Sequence, residues 1–296
     1  FKKSKLSKTS KFLCPVPGYD RHFKLIENFG VEMIPMPFQL DGPDLDSLEY
    51  LLKKHKDVQG IVCVPRHSNP TGHTYSDTNV RNMFELLQSY NENFMVLWDN
   101  AYACHDLKDT EPQSPASSIA EEYDLQHNLF ILGSTSKITL AGSGIAFFSS
   151  SKENNDKFID YRNSLTPGPN KINQGLHTIF FQNKSLESQM EALKKILLPK
   201  FEMVDECLDK LREKNLCEFT SPTGGYFVSF ESTNSRAQEI IDHCLKLGLR
   251  LLPVGSCFPY GNDPNNSNIR IAPTYPNLAN LDKCLNIFEK VVEKLN

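Results

Sequence analysis

The sequence lacks the features that mark several classes of protein. Its eight cysteines include no C-x-x-C pair, and no apolar run approaches the roughly 20 residues that a helix needs to cross a bilayer. Lysine and arginine form no long cluster within the body of the chain, whose formal net charge is −4. These absences argue against a disulfide framework, a membrane span and a nucleic-acid groove. They favour a cytoplasmic protein with reduced thiols and small-molecule partners.

Several motifs that define a reaction are also absent. There is no H-E-x-x-H, so we expect no metal site, and no G-x-x-x-x-G-K-[ST] phosphate loop. Ser134 and Lys137 have the S-x-x-K spacing of a serine acyl-enzyme, but the K-T-G and S-D-N companions of that site are missing. The lysine-rich opening, FKKSKLSKTSK, lacks arginine and an initiating Met, which weighs against a transit segment.

Short apolar segments alternate with amphipathic ones over the first half of the chain. The candidate strands are KFLCPV, VEMIPM, GIVCV, FMVLW, LFILG and IAFF, separated by helical patterns such as that of residues 77–90. This alternation predicts an α/β fold, with a mostly parallel sheet flanked by helices. Strands that are apolar throughout are typical of sheets buried on both faces.

The pattern changes after about residue 185. Residues 186–214 predict a long helix, which Pro199 either kinks or restarts. The candidate strands GYFVSF, LRLLP and NIRIAP follow, with helices near 235–247 and 277–294. We therefore predict a large domain at residues 1–185 and a smaller C-terminal α+β domain, including the connecting helix, at residues 186–296.

Polar clusters follow three of the predicted strands. They are Asn69-Pro70-Thr71-Gly72, Asp99-Asn100-Ala101-Tyr102 and Ser134-Thr135-Ser136-Lys137. Because ligands bind beyond the carboxyl ends of parallel strands, we expect all three clusters on one rim. Taken singly, they are explained as a turn, a helix cap, and a capped helix whose lysine faces solvent. Their combination favours a binding site.

The first two clusters supply what a pyridine ring requires. The Asp99 carboxylate would keep the ring nitrogen protonated through a charge-assisted hydrogen bond. Asn69 and Tyr102 would hold the ring hydroxyl oxygen. A protonated pyridine ring of this kind, bearing an aldehyde and a phosphate, is pyridoxal phosphate.

The third cluster supplies contacts for the phosphate and the aldehyde. Ser134 and Ser136 offer hydroxyls, and the start of the following helix offers main-chain N–H groups, to a phosphate. Lys137 would form a Schiff base with the aldehyde, its amine made nucleophilic by desolvation. A surface lysine would not require small hydroxyl residues beside it.

These motifs resemble a known family. N-P-T-G, D-x-A-Y and S-x-S-K, in this order, resemble the fold type I pyridoxal-phosphate enzymes, specifically the class I aminotransferases. The segments CPVPGYDRHF, VPRHSNPTG, WDNAY, GSTSKITLAGSG and NIRIAP resemble a bacterial-type aspartate aminotransferase subgroup. The resemblance spans nearly the whole chain. It implies a cytoplasmic homodimer of amino acid metabolism that transfers the amino group of aspartate to a 2-oxo acid such as 2-oxoglutarate, with ping-pong kinetics.

The resemblance also implies roles for individual residues. Lys137 attaches the cofactor and moves the substrate proton, Asn69 contacts both cofactor and substrate, and Arg270 binds the substrate α-carboxylate. A planar guanidinium suits a planar carboxylate, although an exposed strand charge is the alternative for Arg270. The contact for the far end of the substrate is left open between Arg162 and Lys171, and alanine or aromatic donors remain open with it.

The chain departs from the family pattern at two positions in the site. Ser143 and Gly144 stand where members often carry a phosphate-binding arginine, which leaves Lys171 as one candidate for that contact. Alignment places Val16 where an aromatic residue usually stacks on the ring, with Tyr19 nearby. The residue that stacks on the ring is therefore not assigned.

The chain begins with Phe1 at a point where the family pattern is already a third complete. We expect a fragment that lacks a strand, a phosphate-cradling helix start and part of the smaller domain. Such a fragment would bind the cofactor weakly, whereas its full parent would catalyse transamination. The alternatives are the ligand-sensing domain of a transcription regulator, whose DNA-binding head lies upstream, and a catalytically impaired fragment.

Overall fold

The structure is a computed structural model that describes residues 10–91 and 93–295; the start of the lysine-rich opening, residues 1–9, lies outside them, as do Glu92 and Asn296. The strands are β1 (Lys11–Val16), β2 (Glu32–Gln39), β3 (Gly42–Pro43), β4 (Val58–Cys63), β5 (Met95–Asp99), β6 (Leu129–Ser134), β7 (Ala146–Ser149), β8 (Cys217–Phe219), β9 (Val228–Ser232) and β10 (Asn268–Ile271). The helices are α1 (Asp20–Asn28), α2 (Leu45–Lys54), α3 (Asp77–Tyr90), α4 (Ala116–Glu122), α5 (Lys152–Leu165), α6 (Lys171–Asn183), α7 (Leu186–Glu213), α8 (Ala237–Lys246) and α9 (Leu278–Leu295).

A seven-stranded sheet forms the larger of two β layers. Its strand order is β3-β2-β1-β4-β5-β6-β7. The five central strands are parallel, whereas the edge strands β3 and β7 run antiparallel to their neighbours. The predicted α/β class with a mostly parallel sheet is confirmed.

The centre of this sheet is buried on both faces. In β1, the consecutive side chains of Phe12, Leu13 and Cys14 are all fully buried. Leu13 packs in the core that α2, α3 and α4 form on one face, whereas Phe12 and Cys14 pack in the core that α1 forms on the other. Successive strand residues point to opposite faces, so both faces require apolar side chains.

Side-chain caps define where two of the covering helices begin. Asp44 accepts a hydrogen bond from the main-chain N–H of Ser47 at the start of α2, at 2.9 Å. Ser76 accepts one from Asn79 at the start of α3, at 3.0 Å. These bonds satisfy N–H groups that have no partner within the helix. The helix predicted for residues 77–90 coincides with α3.

The second layer is an antiparallel sheet with the order β10-β9-β8. Side chains from α7, α8 and α9 form its core, in which the rings of Phe230 and Phe288 meet edge to face at 5.0 Å. The predicted strand GYFVSF, residues 225–230, overlaps the first part of β9, and the predicted strand NIRIAP contains β10. Helix α7 continues through Pro199 to Glu213. The division of the chain at residue 185 stays a prediction.

The prediction of a strand at LRLLP, residues 249–253, was wrong. This segment has no regular secondary structure, and its first N–H group, from Leu249, bonds back to the carbonyl of Cys244 at the end of α8. Pro253 has no N–H group to donate to a ladder. Leu249 and Leu251 pack against the core of the second layer, so their apolar character reflects packing and not strand pairing.

Three further properties of the described residues bear on function. None of their helices combines the length and the hydropathy that a membrane span requires. They contain no group of three or more His, Cys, Asp or Glu side chains arranged to hold a metal ion. The eight cysteines are free thiols, six of them buried.

Candidate active site

Polar side chains lie at or just after the ends of three neighbouring parallel strands, at one edge of the large sheet. Strand β5 ends at Asp99 and β6 ends at Ser134, while Asn69 lies in the loop after β4. Strands β4, β5 and β6 are adjacent in the sheet and run in the same direction. The predicted rim therefore exists as a continuous edge, with Lys137 in the turn that follows β6.

Lys137 is half-buried at this edge, and its amine lies over an aromatic ring. The Nζ atom is 4.7 Å from the ring centroid of Tyr102. Burial lowers the pKa of Lys137 below its usual range by penalising the charged form, and the carboxylate of Asp99 opposes this shift. A larger share of the amine is therefore neutral, and nucleophilic, than for an exposed lysine.

A chain of contacts leads from Tyr102 to Arg270. The side-chain amide of Asn69 donates to the Tyr102 hydroxyl at 3.4 Å and accepts from Nη1 of Arg270 at 3.1 Å. The Arg270 guanidinium lies over the ring of Phe227, with its carbon 4.6 Å from the centroid. Burial raises the pKa of the Tyr102 phenol, so this hydroxyl stays protonated at neutral pH. Lys137 and Arg270 are therefore linked through two buried side chains.

Asp99 has two partners. Its Oδ1 accepts from the N–H of Ala101 at 2.9 Å, and its Oδ2 lies 2.9 Å from Nε2 of His22 on α1. No local pattern predicts the contact between His22 and Asp99, because 77 residues separate the pair. Helix α1 places His22 beneath the end of β5, where it fixes one carboxylate oxygen.

Ser134 and Ser136 form a compact hydroxyl pair beside Lys137. The Ser134 hydroxyl donates to the Ser136 hydroxyl at 2.9 Å and accepts from the Ser136 N–H at 3.1 Å. The loop carrying Gly144 presses against this pair, since a Cβ atom at Gly144 would lie 2.2 Å from the Ser136 oxygen. The loop thus leaves no room for a side chain in that direction. Lys171, the other candidate for the phosphate, is exposed at the start of α6.

The two residues considered for ring stacking lie in different surroundings. Val16 packs against the core under α1. Tyr19 meets the ring of His22 edge to face at 5.0 Å, and burial raises the pKa of its phenol, as does the nearby charge of Asp20. Of these two residues, Tyr19 lies with the polar cluster.

Asp20 is a site residue that sequence reasoning missed. Its Oδ1 lies 3.4 Å from Nη1 of Arg270, the same nitrogen that donates to Asn69. The Nε atom of Arg270 is buried and has no partner among the described residues. The guanidinium is thus only partly satisfied by the protein itself, and it retains a donor for another acceptor.

A large cavity of about 730 Å³ lies beside this cluster but not at its centre. It opens over the α1 face of the sheet and is lined mainly by apolar side chains, among them Phe130 and Phe148. His22 and Asp99 contribute to its wall, whereas Lys137 and Arg270 do not. Geometry and chemistry therefore locate the candidate site at the strand ends and not in this cavity.

The sequence of residues 3–294 matches the family described as "Aspartate amino-transferase". The chain belongs to this aspartate aminotransferase family. The match covers both β layers and every element of the polar cluster. It confirms the resemblance that the sequence motifs suggested.

Individual members of the family show how close the similarity is. The chain is 39% identical over 277 residues to an aspartate aminotransferase of Corynebacterium glutamicum, covering 93% of this chain and 64% of the relative. The crystal structure of an aspartate transaminase from Corynebacterium glutamicum superposes with a TM-score of 0.90 at 37% identity, covering 98% of this chain and 68% of that one. The chain therefore spans slightly less than two thirds of the length of that curated relative.

A more distant structure shares the fold alone. It is LysN, an α-aminoadipate aminotransferase from Thermus thermophilus, solved in complex with N-(5′-phosphopyridoxyl)-L-leucine. The TM-score is 0.84 at 21% identity, covering 97% of this chain and 72% of that one. Its identity is too low to transfer individual residues.

Proposed function

We propose that the protein catalyses pyridoxal-phosphate-dependent transamination between an amino acid and a 2-oxo acid. The observation that carries this proposal is the chain of contacts from the Lys137 amine through Tyr102 and Asn69 to Arg270. The Lys137 amine, a nucleophile, and the Arg270 guanidinium, a group that suits a carboxylate, lie at the two ends of one polar cluster, which supports this reaction. Membership of the aspartate aminotransferase family supports the same reaction.

The side chains at the strand ends suit pyridoxal phosphate. The Lys137 amine has no hydrogen-bond or ion-pair partner among the described residues, so it is available to bind the aldehyde. Asp99, held by His22, would bind the ring nitrogen, and Tyr102 with Asn69 would bind the ring oxygen. The Ser134 and Ser136 hydroxyls would bind the phosphate. The structure of LysN, which shares this fold, contains a phosphopyridoxyl ligand.

Lys137 and Arg270, at the two ends of the cluster, have separate roles in the mechanism. When bound, pyridoxal phosphate supplies an electron sink that stabilises the negative charge left by removal of the substrate α-proton. The Nζ atom of Lys137 accepts that proton, which requires the neutral amine that burial favours. Arg270 would hold the α-carboxylate through its unpartnered Nε and the Nη2 on the same edge of the guanidinium, and would so orient the α-carbon toward Lys137.

We propose aspartate as the amino donor and 2-oxoglutarate as an acceptor. The relative from Corynebacterium glutamicum that bears the name aspartate aminotransferase supports this choice. The side chain that contacts the distal carboxylate of aspartate is not assigned. The half-buried Arg162 and the exposed Lys171 remain its candidates.

We also propose that the protein is a cytoplasmic homodimer of amino acid metabolism. Helices α5 and α6 expose several large apolar side chains, among them Leu165, Ile172 and Ile179. Clustered exposed apolar side chains indicate an interaction surface. Eight free thiols suit a reducing compartment.

A donor panel tests the proposed function. The protein is incubated with pyridoxal phosphate, 2-oxoglutarate and aspartate, alanine or an aromatic amino acid, and glutamate formation is measured. We expect the highest rate with aspartate and no turnover in Lys137→Ala. Turnover of alanine without turnover of aspartate would overturn the substrate assignment. Ligand binding without turnover of any donor would favour the ligand-sensing regulator.

A further inference from the structure

The main-chain carbonyl of Lys137 accepts hydrogen bonds from two side chains. The Tyr226 hydroxyl donates to it at 2.8 Å, and Nε2 of His105 lies 3.3 Å from the same oxygen. Lys137 lies in a turn and not in a helix, and no described main-chain N–H bonds to its carbonyl. The peptide that carries the reactive amine is therefore held by side chains from elsewhere in the chain.

His105 is arranged as a neutral donor. Its ring is buried, and this burial is the main reason that its pKa falls to about 4. The Cys104 sulfur lies 3.8 Å from Nδ1, so this thiol can donate to Nδ1 while the ring proton resides on Nε2. With that tautomer, His105 donates to the Lys137 carbonyl throughout the neutral pH range.

Tyr226 contacts the same aromatic ring that the Lys137 amine covers. The rings of Tyr226 and Tyr102 meet edge to face at 5.9 Å, and the rings of Tyr226 and His105 meet edge to face at 5.1 Å. Tyr226 therefore holds the lysine at its carbonyl and also supports the ring beneath its amine. Both contacts act on the direction in which the lysine side chain leaves the backbone.

The segment that carries Tyr226 is itself fixed to the large sheet. Gly225 donates its N–H to the carbonyl of His105 at 2.9 Å, and Leu107 donates to the carbonyl of Thr223 at 2.9 Å. Gly224 pairs with Asp106 as an isolated antiparallel bridge. This short ladder joins the loop after β5 to the loop before β9. Tyr226 thus approaches Lys137 from the second β layer, on a segment that main-chain hydrogen bonds hold.

We propose that Tyr226 is a positioning residue for Lys137, with His105 as its second donor. The two hydrogen bonds fix the orientation of the Lys137 peptide. The flexible side chain therefore leaves the main chain in one direction, which keeps its amine over the Tyr102 ring. The proposal rests on the proposed function for the role of Lys137 in catalysis. The placement of the amine can be tested without that function.

The first measurement uses the protein without cofactor. Competitive acetylation with acetic anhydride across a pH series, read by mass spectrometry of the Lys137 peptide, gives the pKa and reactivity of this amine. In Tyr226→Phe, which keeps the ring and removes only the hydroxyl, we expect the amine to reach water more often and its pKa to rise toward the ordinary lysine value. Tyr90→Phe is the matched control, because the Tyr90 hydroxyl also donates to a main-chain carbonyl, that of His55, at 2.6 Å. His55 precedes β4, whose opposite end leads to the candidate site.

The second measurement uses pyridoxal phosphate and the amino donor. For Tyr226→Phe we expect the rate of cofactor capture at Lys137 and kcat each to fall about fivefold to tenfold, the effect of one buried hydrogen bond. KM for the donor should stay within twofold, because the Arg270–Asn69 contact is unchanged. Borohydride reduction followed by mass spectrometry confirms that Lys137 is the residue that captures the cofactor.

The outcomes separate the two proposals. Equal amine reactivity in Tyr226→Phe and Tyr90→Phe, with melting temperatures that show both are folded, would overturn the positioning role. So would a change in KM without a change in kcat. If Tyr226→Phe alters the Lys137 amine but the wild-type protein captures no cofactor at Lys137, the positioning role stands and the proposed function fails.

Discussion

Arg270 lies between two oxygen acceptors that differ in charge. The neutral amide oxygen of Asn69 and the carboxylate of Asp20 both face its Nη1 atom, at 3.1 and 3.4 Å. A substrate carboxylate that binds Arg270 must share the guanidinium with Asp20 or displace it. The Asp20 carboxylate and a substrate carboxylate at the same guanidinium would repel each other, so Asp20 opposes carboxylate binding.

Removal of the Asp20 charge should therefore strengthen substrate binding. In Asp20→Asn we expect KM for the amino donor to fall about threefold to fivefold with kcat within twofold, since one partly exposed charge contact is worth about 1 kcal/mol. Steady-state kinetics with varied donor would measure the change. Asp156→Asn, which removes a carboxylate paired with Lys152 on α5, should leave KM unchanged. A higher KM in Asp20→Asn would show instead that Asp20 orients Arg270.

Sequence alone located the strand-end residues but not their distant partners. Asn69, Asp99 and Ser134 follow apolar segments, and the common direction of parallel strands brings such positions together. The contact of Tyr226 with the Lys137 carbonyl joins residues 89 positions apart. No local pattern encodes such a pair, because it depends on how the second layer docks on the first.

At the scale of secondary structure, the long periodic helices and the apolar strands of the large sheet were predicted, whereas some other short segments were not. Helix α7 and helix α3 match their predicted spans, since each combines an N-terminal serine cap with a repeated apolar stripe. Strand β8 was missed because three residues, Cys217–Phe219, give no readable alternation. The apolar segment LRLLP has the composition of a strand, but Leu249 and Leu251 pack against the core of the second layer without strand pairing.

Helix α2 depends on its capping aspartate. We expect Asp44→Ala to lower the free energy of unfolding by about 1 kcal/mol, because the N–H of Ser47 loses its acceptor. Urea denaturation followed by circular dichroism would measure this loss. Asp46→Ala removes a charge from the same first turn without removing a cap, and it should cost less than half as much. Equal losses in the two variants would contradict the capping role.

The ladder between the two β layers requires glycine at position 224. A Cβ atom there would lie 2.5 Å from the main-chain oxygen of His105 and 2.2 Å from Nε2 of His67. We expect Gly224→Ala to destabilise the protein by about 2 kcal/mol, because a main-chain atom cannot move aside as a side chain can. Gly168→Ala is the control, since no atom lies within 4 Å of its Cβ position. Equal stability of the two variants, measured in urea, would contradict this close approach.

At the scale of the whole molecule, the two β layers meet around the candidate site. Leu107 follows β5 in the chain yet packs in the core of the second layer, so the loop that carries Asp106 and Leu107 belongs to both. Sequence patterning predicted both layers, because each has its own apolar periodicity. It did not predict how they meet, which rests on glycine contacts and buried polar groups. The boundary at residue 185 remains a prediction that limited proteolysis would test.

Buried polar groups where the layers meet also predict how stability depends on pH. Burial lowers the pKa of His105 to about 4 in the folded protein, whereas an unfolded histidine titrates near 6.5. Between these values the unfolded chain binds the extra proton and the folded protein does not, so stability falls as pH falls from 6.5 to 4. Burial raises the pKa of Asp106, but the contacts with His67 and Arg66 outweigh it and lower this pKa from 3.8 to about 2. Asp106 therefore adds a further loss of stability only as pH falls below 3.8.

The variant His105→Gln should flatten this dependence. The wild-type protein should lose on the order of 1–2 kcal/mol of unfolding free energy between pH 7 and pH 5 through this one group, and His105→Gln should lack that part of the loss. Burial also lowers the pKa of His73, so a smaller loss of the same sign persists in the variant. Urea denaturation at the two pH values gives both differences, and His127→Gln, at an exposed position, serves as the control. If the change in unfolding free energy between the two pH values is the same in His105→Gln as in the wild type, the buried ring accepts a proton without cost. His105 could then not be assigned as a neutral donor to the Lys137 carbonyl.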